Sequence, residues 1–527
     1  MTPKRLVVLV FSAAVLLGAA DPPDGKRWWS YVEALANDQM RGRDTGSPEH
    51  LKAAQYVADH FQKAGLTPAG TQGFLQPVKF VAWKIVEPEC SIDLIRGGKA
   101  EPLALGEDAY ITRGATPASL VEAPLAFAGY GLTVPEMNYD DFAGLDVRGK
   151  IIVMIGGGPA NIPGPLKAHY QNARERNRFL LRAGAAGTVT IQNPSTSDVP
   201  WSRAALARFQ EAMELADPTL ATPSGLKIAI VLNPKHAGAW LEGSGHSVDE
   251  LLALATAGKP LPHFPLVPSL RVKAKIQKRE LESQNVVAIW PGSDPALKNQ
   301  FVVLSAHIDH VGVGEPIHGD AIYNGAMDNA SGTASLMDMA QTLHDQNIQT
   351  KRSLLFVAVT GEEKGLLGSR YFAAHPTVDS ESMIADLNMD MFLPLFPLHF
   401  LEVQGLGEST LGNDARAVAQ LNDVEVQFDK QPDENRFIRS DQVNFIAQGI
   451  PALAFKFGWT PDSPEMKTFN DFVKTRYHKP SDDLNQHVDK AAAAQFTHLL
   501  AELAVRVANA SQRPSWYPES SFAHQTE

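Results

Sequence analysis

The chain has 527 residues, a net charge of -12 and a single cysteine, Cys90. At about 150 residues per domain, this length allows more than one hydrophobic core. The acidic balance argues against a nucleic-acid-binding surface. One cysteine excludes an intrachain disulfide, so stability has to come from burial and bound metals.

The first 20 residues have the pattern of a secretory signal peptide. Lys4 and Arg5 precede an apolar run from Leu6 to Leu17, and small residues follow at positions 18–20. An uncleaved anchor is disfavoured because a membrane span needs about 20 apolar residues. We therefore expect an exported protein, periplasmic or extracellular, with no stable membrane insertion after cleavage.

The next segments predict a main domain interrupted by an insert. Residues 51–61 have apolar side chains at helical spacing, and residues 74–95 alternate in the manner of strands. From 121 to 269 short apolar runs are separated by Pro and Gly, and no metal-ligand motif occurs there. We expect 121–269 to be the insert, and 21–120 with 270–510 to form one discontinuous domain.

The second part of the main domain alternates predicted strands with predicted helices. Apolar runs predict strands at 281–290, 301–306, 354–359 and 451–457, and helical segments cover 331–344, 414–421 and 491–508. Alternation of this kind predicts an α/β fold, with three layers, α/β/α, around a mixed, mostly parallel sheet. The polar tail, 511–527, is expected to be loosely ordered.

Five residues have the types and positions of ligands for two metal ions. Apolar strands end just before His307 and Glu363, and a third apolar segment ends at Asp390. Asp328 and His478 lie in loops between such segments. Strand ends at the carboxyl edge of an open α/β sheet are where sites form.

The residue types suit two divalent cations about 3.5–4 Å apart, which need a bridging carboxylate and terminal imidazole and carboxylate ligands. Asp328 can bridge, His307 and Asp390 can complete one site, and Glu363 and His478 the other. A water between the ions would lose a proton near neutral pH.

Two neighbouring carboxylates have predicted supporting roles. Glu362 is not needed as a ligand and is free to act as general base. Asp309 is expected to accept the second ring N–H of His307 and so fix its tautomer.

Each of these signals has an ordinary explanation when taken alone. A histidine after an apolar strand is usually a core or loop residue, and paired glutamates are usually solvated. An Asp-Asn pair is usually a turn or a helix N-cap. These signals occur together, in this order and at strand ends, and the combination favours metal binding.

At these residues the chain resembles the M28 family of two-zinc aminopeptidases. The resemblance is carried by residues 307–309 (HID), 328–332 (DNASG), 360–369 (TGEEKGLLGS), 388–390 (NMD) and 477–483 (YHKPSDD). It implies two zinc ions, or other divalent ions, at the five ligands and Glu362 as catalytic base. It further implies Tyr477 as a hydrogen-bond donor to the tetrahedral oxyanion and a cis peptide bond between Asp328 and Asn329.

Two further features bear on this resemblance. Gln442 follows Arg439-Ser440-Asp441 where many relatives have histidine, which affects a contact behind the ligands or in the pocket. Residues 126–132, 146–154 and 179–191 resemble a protease-associated (PA) domain, a small β-rich insert of several secreted peptidases. An insert that serves only as scaffold is an equal alternative.

The leading functional prediction is a secreted metallo-aminopeptidase that acts on peptides with a free N-terminus. A carboxypeptidase or amidase on the same scaffold, a single-zinc glutaminyl cyclase and an inactive binding protein are the alternatives. Arg439 is the candidate clamp for a substrate carboxylate. Phe392 and Phe457 are candidates for an apolar pocket, although such residues more often belong to the core.

Overall fold

The computed structural model describes residues 24–195, 200–221 and 225–523. The predicted signal peptide, 1–20, lies outside these residues. None of the described helices combines the length and apolarity that crossing a membrane requires.

A ten-stranded mixed sheet lies at the centre of the fold. Its strands follow the spatial order Ala212–Leu215, Leu75–Ile85, Ile276–Trp290, Ser353–Val359, Phe301–His307, Met383–Asn388, Ala452–Phe457, Phe400–Gln404 and Glu425–Gln427, and Thr67–Pro68 pairs with Ile276–Trp290. The four strands from Ser353–Val359 to Ala452–Phe457 are parallel, and antiparallel pairs flank them. The carboxyl ends of the parallel strands therefore share one edge of the sheet.

Helices cover both faces of this central sheet. In chain order the described helices are Lys26–Ala36, Pro48–Lys63, Gly164–Gln171, Ala173–Ala183, Trp201–Ala204, Gly238–Leu241, Val248–Thr256, Ser331–Asp345, Leu367–Ala374, Leu411–Leu421, Gln442–Ile446, Pro464–Thr475 and Lys490–Asn509. Along one strand, Val302 and Leu304 face the larger core, while Val303 faces the other. Phe372 and Phe445 from two helices close that second core. The predicted three-layer arrangement is confirmed.

An eight-stranded sheet with its own core forms beside the central sheet. Its strands follow the order Lys99–Pro102, Ser91–Arg96, His263–Lys273, Leu120–Ala128, Ile151–Ile155, Gly187–Ile191, Ala229–Leu232 and Ala109–Ile111. Two short hairpin sheets complete the described strands, Gly312–Ile317 with Asp320–Tyr323 and Thr133–Val134 with Tyr139–Asp140. Side chains such as Phe127, Val153 and Trp240 fill the core of the eight-stranded sheet.

The strands of this second sheet extend beyond the predicted insert. Residues 91–111 were assigned to the main domain, yet Ser91–Arg96 pairs antiparallel with His263–Lys273 in the second sheet. Conversely, Ala212–Leu215 pairs with Leu75–Ile85 at the edge of the central sheet. Pairing between segments far apart in the sequence determines which sheet each strand joins. The local alternation of apolar and polar residues does not reveal that pairing.

The C-terminal tail is packed as far as residue 523, which differs from the loose order expected of it. Trp516 and Phe522 contact each other, and Phe522 packs edge-on against Phe437. The Trp516 indole N–H donates to Gly449 O at 2.9 Å. The contacts of the buried Phe522 and the partly buried Trp516 outweigh the polar composition of the segment.

Arg43 connects the N-terminal segment to the loops that carry the predicted ligands. Its fully buried guanidinium donates to the backbone oxygens of Ile308, Asn324 and Gly325 at 2.8 to 3.0 Å. Buried carbonyls need such donors, so this side chain fixes the chain just after His307 and just before Asp328.

Candidate metal centre

The structure brings all five predicted ligands together at the carboxyl edge of the central sheet. His307 is the last residue of its strand, and Asp390 follows the strand Met383–Asn388 by two residues. Glu363 lies in the turn after Ser353–Val359. Asp328 precedes the helix Ser331–Asp345, and His478 follows the helix Pro464–Thr475.

Asp328 lies between two groups of ligands. Its Oδ1 is 3.4 Å from His307 Nε2, and the same nitrogen is 3.4 Å from Asp390 Oδ1. Its Oδ2 is 3.2 Å from His478 Nε2, which lies 3.1 Å from Glu363 Oε2. One carboxylate therefore faces a different histidine–carboxylate pair with each oxygen, as a bridging ligand does.

The residues present fit divalent cations. Asp328 and Glu363 are nearly inaccessible, and His307 is fully buried. Asp328 Oδ2 and Glu363 Oε1 have close neighbours but no hydrogen bond of acceptable geometry within the described residues. Buried carboxylates without partners are costly, and imidazole with carboxylate oxygen is a donor set that zinc accepts.

His310 also belongs to this cluster, although it was not among the residues predicted from the sequence. Its ring is fully buried, with Nδ1 2.7 Å from Glu363 Oε1 and 3.9 Å from Asp328 Oδ2. The ligand atoms of His310, Asp328 and Glu363 lie within 4.8 Å of one another. Its position three residues after His307 was the available signal.

Asp309 has a different role from the predicted one. The Nδ1 of His307 lies 3.0 Å from the backbone oxygen of Asp309 and 4.0 Å from its carboxylate. The carboxylate instead accepts hydrogen bonds from Thr45 Oγ1 at 2.9 Å and from the backbone N–H groups of Glu362 and Glu363 at 3.1 and 3.3 Å. Asp309 therefore holds the turn that presents the base and one ligand, because two consecutive N–H groups there point at one anion.

The loop that carries Asp328 is held in a similar way. The peptide bond between Asp328 and Asn329 is cis, as the family resemblance implies. The carboxylate of Asp482 accepts from the backbone N–H groups of Met327 and Asp328, each at 3.0 Å. Asp482 comes from the 477–483 segment, so this contact ties the loop of His478 to the loop of Asp328.

The two predicted catalytic side chains lie beside the ligands. Burial, together with Glu363 and Asp390, raises the pKa of Glu362 well above its usual value, against the opposing attraction of His307. Tyr477 stacks on the His478 ring, with centroids 3.9 Å apart. The positive charge of His478 acts to lower the pKa of Tyr477. Burial and nearby carboxylates outweigh this effect and raise that pKa to about 12. Tyr477 therefore stays a protonated donor at neutral pH.

The departure at Gln442 has a visible structural consequence. The Gln442 side-chain oxygen accepts from Asn388 Nδ2 at 2.7 Å, and its amide donates to Phe437 O at 2.7 Å. Asn388 lies two residues before Asp390, so the Gln442 amide positions the segment that leads to this ligand.

Of the three predicted pocket residues, only Arg439 lines the cavity beside the ligands. Arg439 lines a cavity next to Asp390 and Tyr477, but its side chain is 58% exposed and lies near Glu434. Phe392 and Phe457 are fully buried, and Phe392 stacks on Phe496 in the core. They do not line this cavity, which differs from the pocket role suggested for them, because both face the helix Lys490–Asn509.

Comparison with known proteins gives one family and several relatives. The sequence pattern of peptidase family M28 matches residues 285–504. Aminopeptidase Y of Saccharomyces cerevisiae is 29% identical over 39% of this chain and 35% of its own length. Carboxypeptidase Q of Homo sapiens is 22% identical over 68% of this chain and 64% of its own. The chain thus spans about a third of the first relative and under two thirds of the second.

The fold is shared with solved structures. The aminopeptidase from Aneurinibacillus sp. strain AM-1 superposes with a TM-score of 0.57, at 21% identity, over 93% of this chain and 95% of that one. At that identity the likeness establishes the fold.

Proposed function

The chain contains a peptidase family M28 domain in residues 285–504, and from this premise we propose a zinc-dependent aminopeptidase acting on peptides with a free N-terminus. The observation that carries the proposal is the two-sided contact of Asp328, with His307 3.4 Å from one oxygen and His478 3.2 Å from the other. A single-ion site needs no such bridge.

Five residues would hold the two ions, with Asp328 shared. His307 and Asp390 would complete one site, and Glu363 and His478 the other. Two bound divalent ions supply Lewis acidity, which polarises a carbonyl and makes water acidic enough to act as nucleophile near neutral pH. His310 lies next to the second of these sites, with Nδ1 2.7 Å from Glu363 Oε1.

The remaining steps belong to the side chains of this chain. Glu362 takes a proton from the attacking water and returns it to the leaving amine. Tyr477 donates a hydrogen bond to the oxygen on which negative charge develops. The Asp309 carboxylate keeps Glu362 in place by accepting a hydrogen bond from the Glu362 backbone N–H.

Local charge favours cleavage at a free N-terminus. The carboxylates of Asp328, Glu362, Glu363 and Asp390 lie close together. Two dications would balance their four charges overall, but Glu362 is not a ligand and leaves a carboxylate at the free edge of the cluster. A substrate ammonium pairs favourably with the free edge of that cluster. Carboxypeptidase action is the second candidate, because the cavity beside Asp390 is lined by several cationic side chains.

The test compares three substrates with the purified full chain and zinc: a free aminoacyl-anilide, its N-acetyl form and an N-blocked dipeptide with a free carboxylate. We expect turnover of the free aminoacyl-anilide and loss of turnover on N-acetylation. Efficient cleavage of the N-blocked dipeptide, without cleavage of the free anilide, would reverse the assignment.

Export is proposed on separate grounds. Lys4, Arg5 and the apolar run from Leu6 to Leu17 have the pattern of a signal peptide. N-terminal sequencing of the protein recovered outside the cytoplasm tests this, with cleavage near Ala20 expected and an intact Met1 as the contrary result.

A further inference from the structure

A cavity of about 670 Å³ opens beside Asp390 and Tyr477. The strand Ala452–Phe457, the helix Pro464–Thr475 and one residue near the second sheet contribute to its wall. Five cationic side chains line it, Arg203, Arg436, Arg439, Lys456 and Lys474, together with two carboxylates, Asp390 and Glu434. The lining therefore carries an excess of positive charge, next to a cluster of opposite sign.

The two carboxylates do not neutralise this excess. Asp390 is directed at His307, 3.4 Å away, and belongs to the candidate metal centre. Glu434 lies 3.5 Å from Arg439 at the exposed rim. Neither of these two carboxylates therefore forms an ion pair with Lys456 or Arg436, which face the cavity.

Lys456 is the most informative of these cations. It is a partly buried lysine in the strand Ala452–Phe457, whose other residues are apolar and buried. Its ammonium donates to Met391 O at 3.2 Å, which uses one of three donors. Among the described residues, no carboxylate oxygen lies within 4.0 Å of the Lys456 ammonium, the limit for a salt bridge. Burial lowers the pKa of Lys456, and the attraction of Asp390 only partly opposes this.

Arg436 is held in the same wall by neutral partners. Its guanidinium donates to the Gln431 side-chain oxygen at 2.7 Å and lies 5.5 Å from the centre of the Phe469 ring. These contacts fix the direction of the planar donor group without neutralising its charge. A planar cation held in this way is suited to bind a carboxylate.

We propose that this cavity binds a carboxylate of the peptide substrate and that Lys456 is the residue that determines the preference for it. The inference rests on the proposed peptidase function. With the substrate ammonium and the scissile bond at the metal centre, the adjoining cavity receives a neighbouring part of the substrate. That part is either the acidic side chain of an N-terminal Asp or Glu, or the free C-terminal carboxylate of a dipeptide.

Two matched substrate pairs separate these sources. Glutamyl-anilide and glutaminyl-anilide differ only in side-chain charge, and leucyl-glycine and leucyl-glycinamide differ only at the C-terminus. Lys456→Met removes the charge and keeps most of the stem. Lys467→Met is the matched control, since Lys467 is exposed on the helix Pro464–Thr475 and does not line the cavity.

We expect the wild-type enzyme to prefer the charged member of one pair by about ten- to a hundredfold in kcat/KM, the range of a charge-assisted hydrogen bond. Lys456→Met should abolish that preference and leave the neutral member nearly unchanged, whereas Lys467→Met should keep the preference. A preference in the anilide pair assigns the cavity to an acidic side chain, and one in the dipeptide pair assigns it to the C-terminus.

Equal kcat/KM values within both pairs in the wild type would overturn the inference without using any variant. Equal losses on charged and neutral substrates in Lys456→Met would make the lysine structural and would also overturn it. Absence of all hydrolysis is a failure of the proposed function instead. In that case calorimetric titration with the two unhydrolysed pairs, glutamyl-anilide against glutaminyl-anilide and leucyl-glycine against leucyl-glycinamide, decides: tighter binding of the charged member of either pair supports the cavity assignment, and equal binding within both pairs refutes it.

Discussion

Glu362 lies beside the ligand cluster and is not needed as a ligand, so its carboxylate is free to take up and return a proton. Glu362→Gln keeps the shape of the side chain and removes its basicity. General bases contribute about 10²- to 10⁴-fold, and we expect kcat to fall by that factor while metal content is unchanged. Steady-state kinetics with metal analysis measure both. Glu425→Gln, at an exposed strand position, is the control, and near-normal kcat in Glu362→Gln would move the base elsewhere.

Tyr477 contributes a single hydrogen-bond donor, so its loss should cost less than the loss of the base. Tyr477→Phe keeps the ring that stacks on His478. One oxyanion donor accounts for about 10²–10³ in kcat, and we expect a decrease within that limit with little change in KM. An unchanged kcat would show that the phenol does not contact the reacting oxygen.

The ligand residues were predictable from sequence because each follows an apolar strand or lies in a short polar motif. His307, Glu363 and Asp390 were placed by where their strands end. His310 was missed because the same strand end already offered one histidine. Lys456 was missed because it occupies a single position in an apolar strand, and only the three-dimensional arrangement shows that this position faces the cavity.

At the level of elements, the turn after the strand Ser353–Val359 is held by the Asp309 carboxylate, which accepts two backbone N–H groups. Asp309→Asn replaces one acceptor oxygen by a donor and should loosen Glu362 and Glu363. Partners behind metal ligands typically contribute about 10- to 100-fold to metal affinity or activity. We expect a loss of that size in zinc affinity, measured by competition with a chelator.

The control for Asp309→Asn is Asp320→Asn. Asp320 also accepts a backbone N–H in a turn, from Ile322 at 3.0 Å, but lies in an exposed hairpin. Wild-type zinc affinity in Asp309→Asn would show that the turn keeps its shape without the carboxylate.

A buried carboxyl near the second sheet predicts a pH effect on stability. Asp141 accepts from the N–H groups of Tyr130 and Leu132 at 3.0 Å, yet burial raises its pKa to about 6. Because the folded pKa is raised, its contribution to stability is present below about pH 4 and is lost as pH rises through about 6.

Asp141→Asn is neutral at every pH and removes this dependence. The stability of the variant relative to wild type should therefore increase between pH 4 and pH 8, by about 2–3 kcal/mol. Urea unfolding of both proteins at the two pH values measures the difference. The same difference at both pH values would show that the carboxyl keeps an ordinary pKa in the fold.

The elements that were predicted well are those with a continuous local pattern. The strand at 354–359 and the helix at 331–344 were placed within one residue of Ser353–Val359 and Ser331–Asp345. The insert was predicted to begin at residue 121, whereas the strand Ser91–Arg96 lies before it and joins the second sheet by pairing with His263–Lys273. That pairing joins segments more than 150 residues apart, which no local pattern records.

At the scale of the whole molecule, the site combines two regions of opposite charge. The acidic cluster lies at the carboxyl edge of the central sheet, and the cationic cavity lies directly beside it. Arg203, from the segment between strands of the second sheet, reaches that cavity. Arg203 thus contributes to the proposed substrate-binding wall from outside residues 285–504, and Lys456 and Arg436 contribute from within them.

We propose that Asp328 bridges two divalent ions and that both ions are needed for activity. The most direct measurement is atomic emission of the purified full chain during stepwise zinc reconstitution after chelation, with kcat recorded at each step. We predict two zinc ions per chain at saturation and full activity only when the second is bound. One tightly bound ion per chain with full activity would contradict the claim and favour the single-zinc alternative.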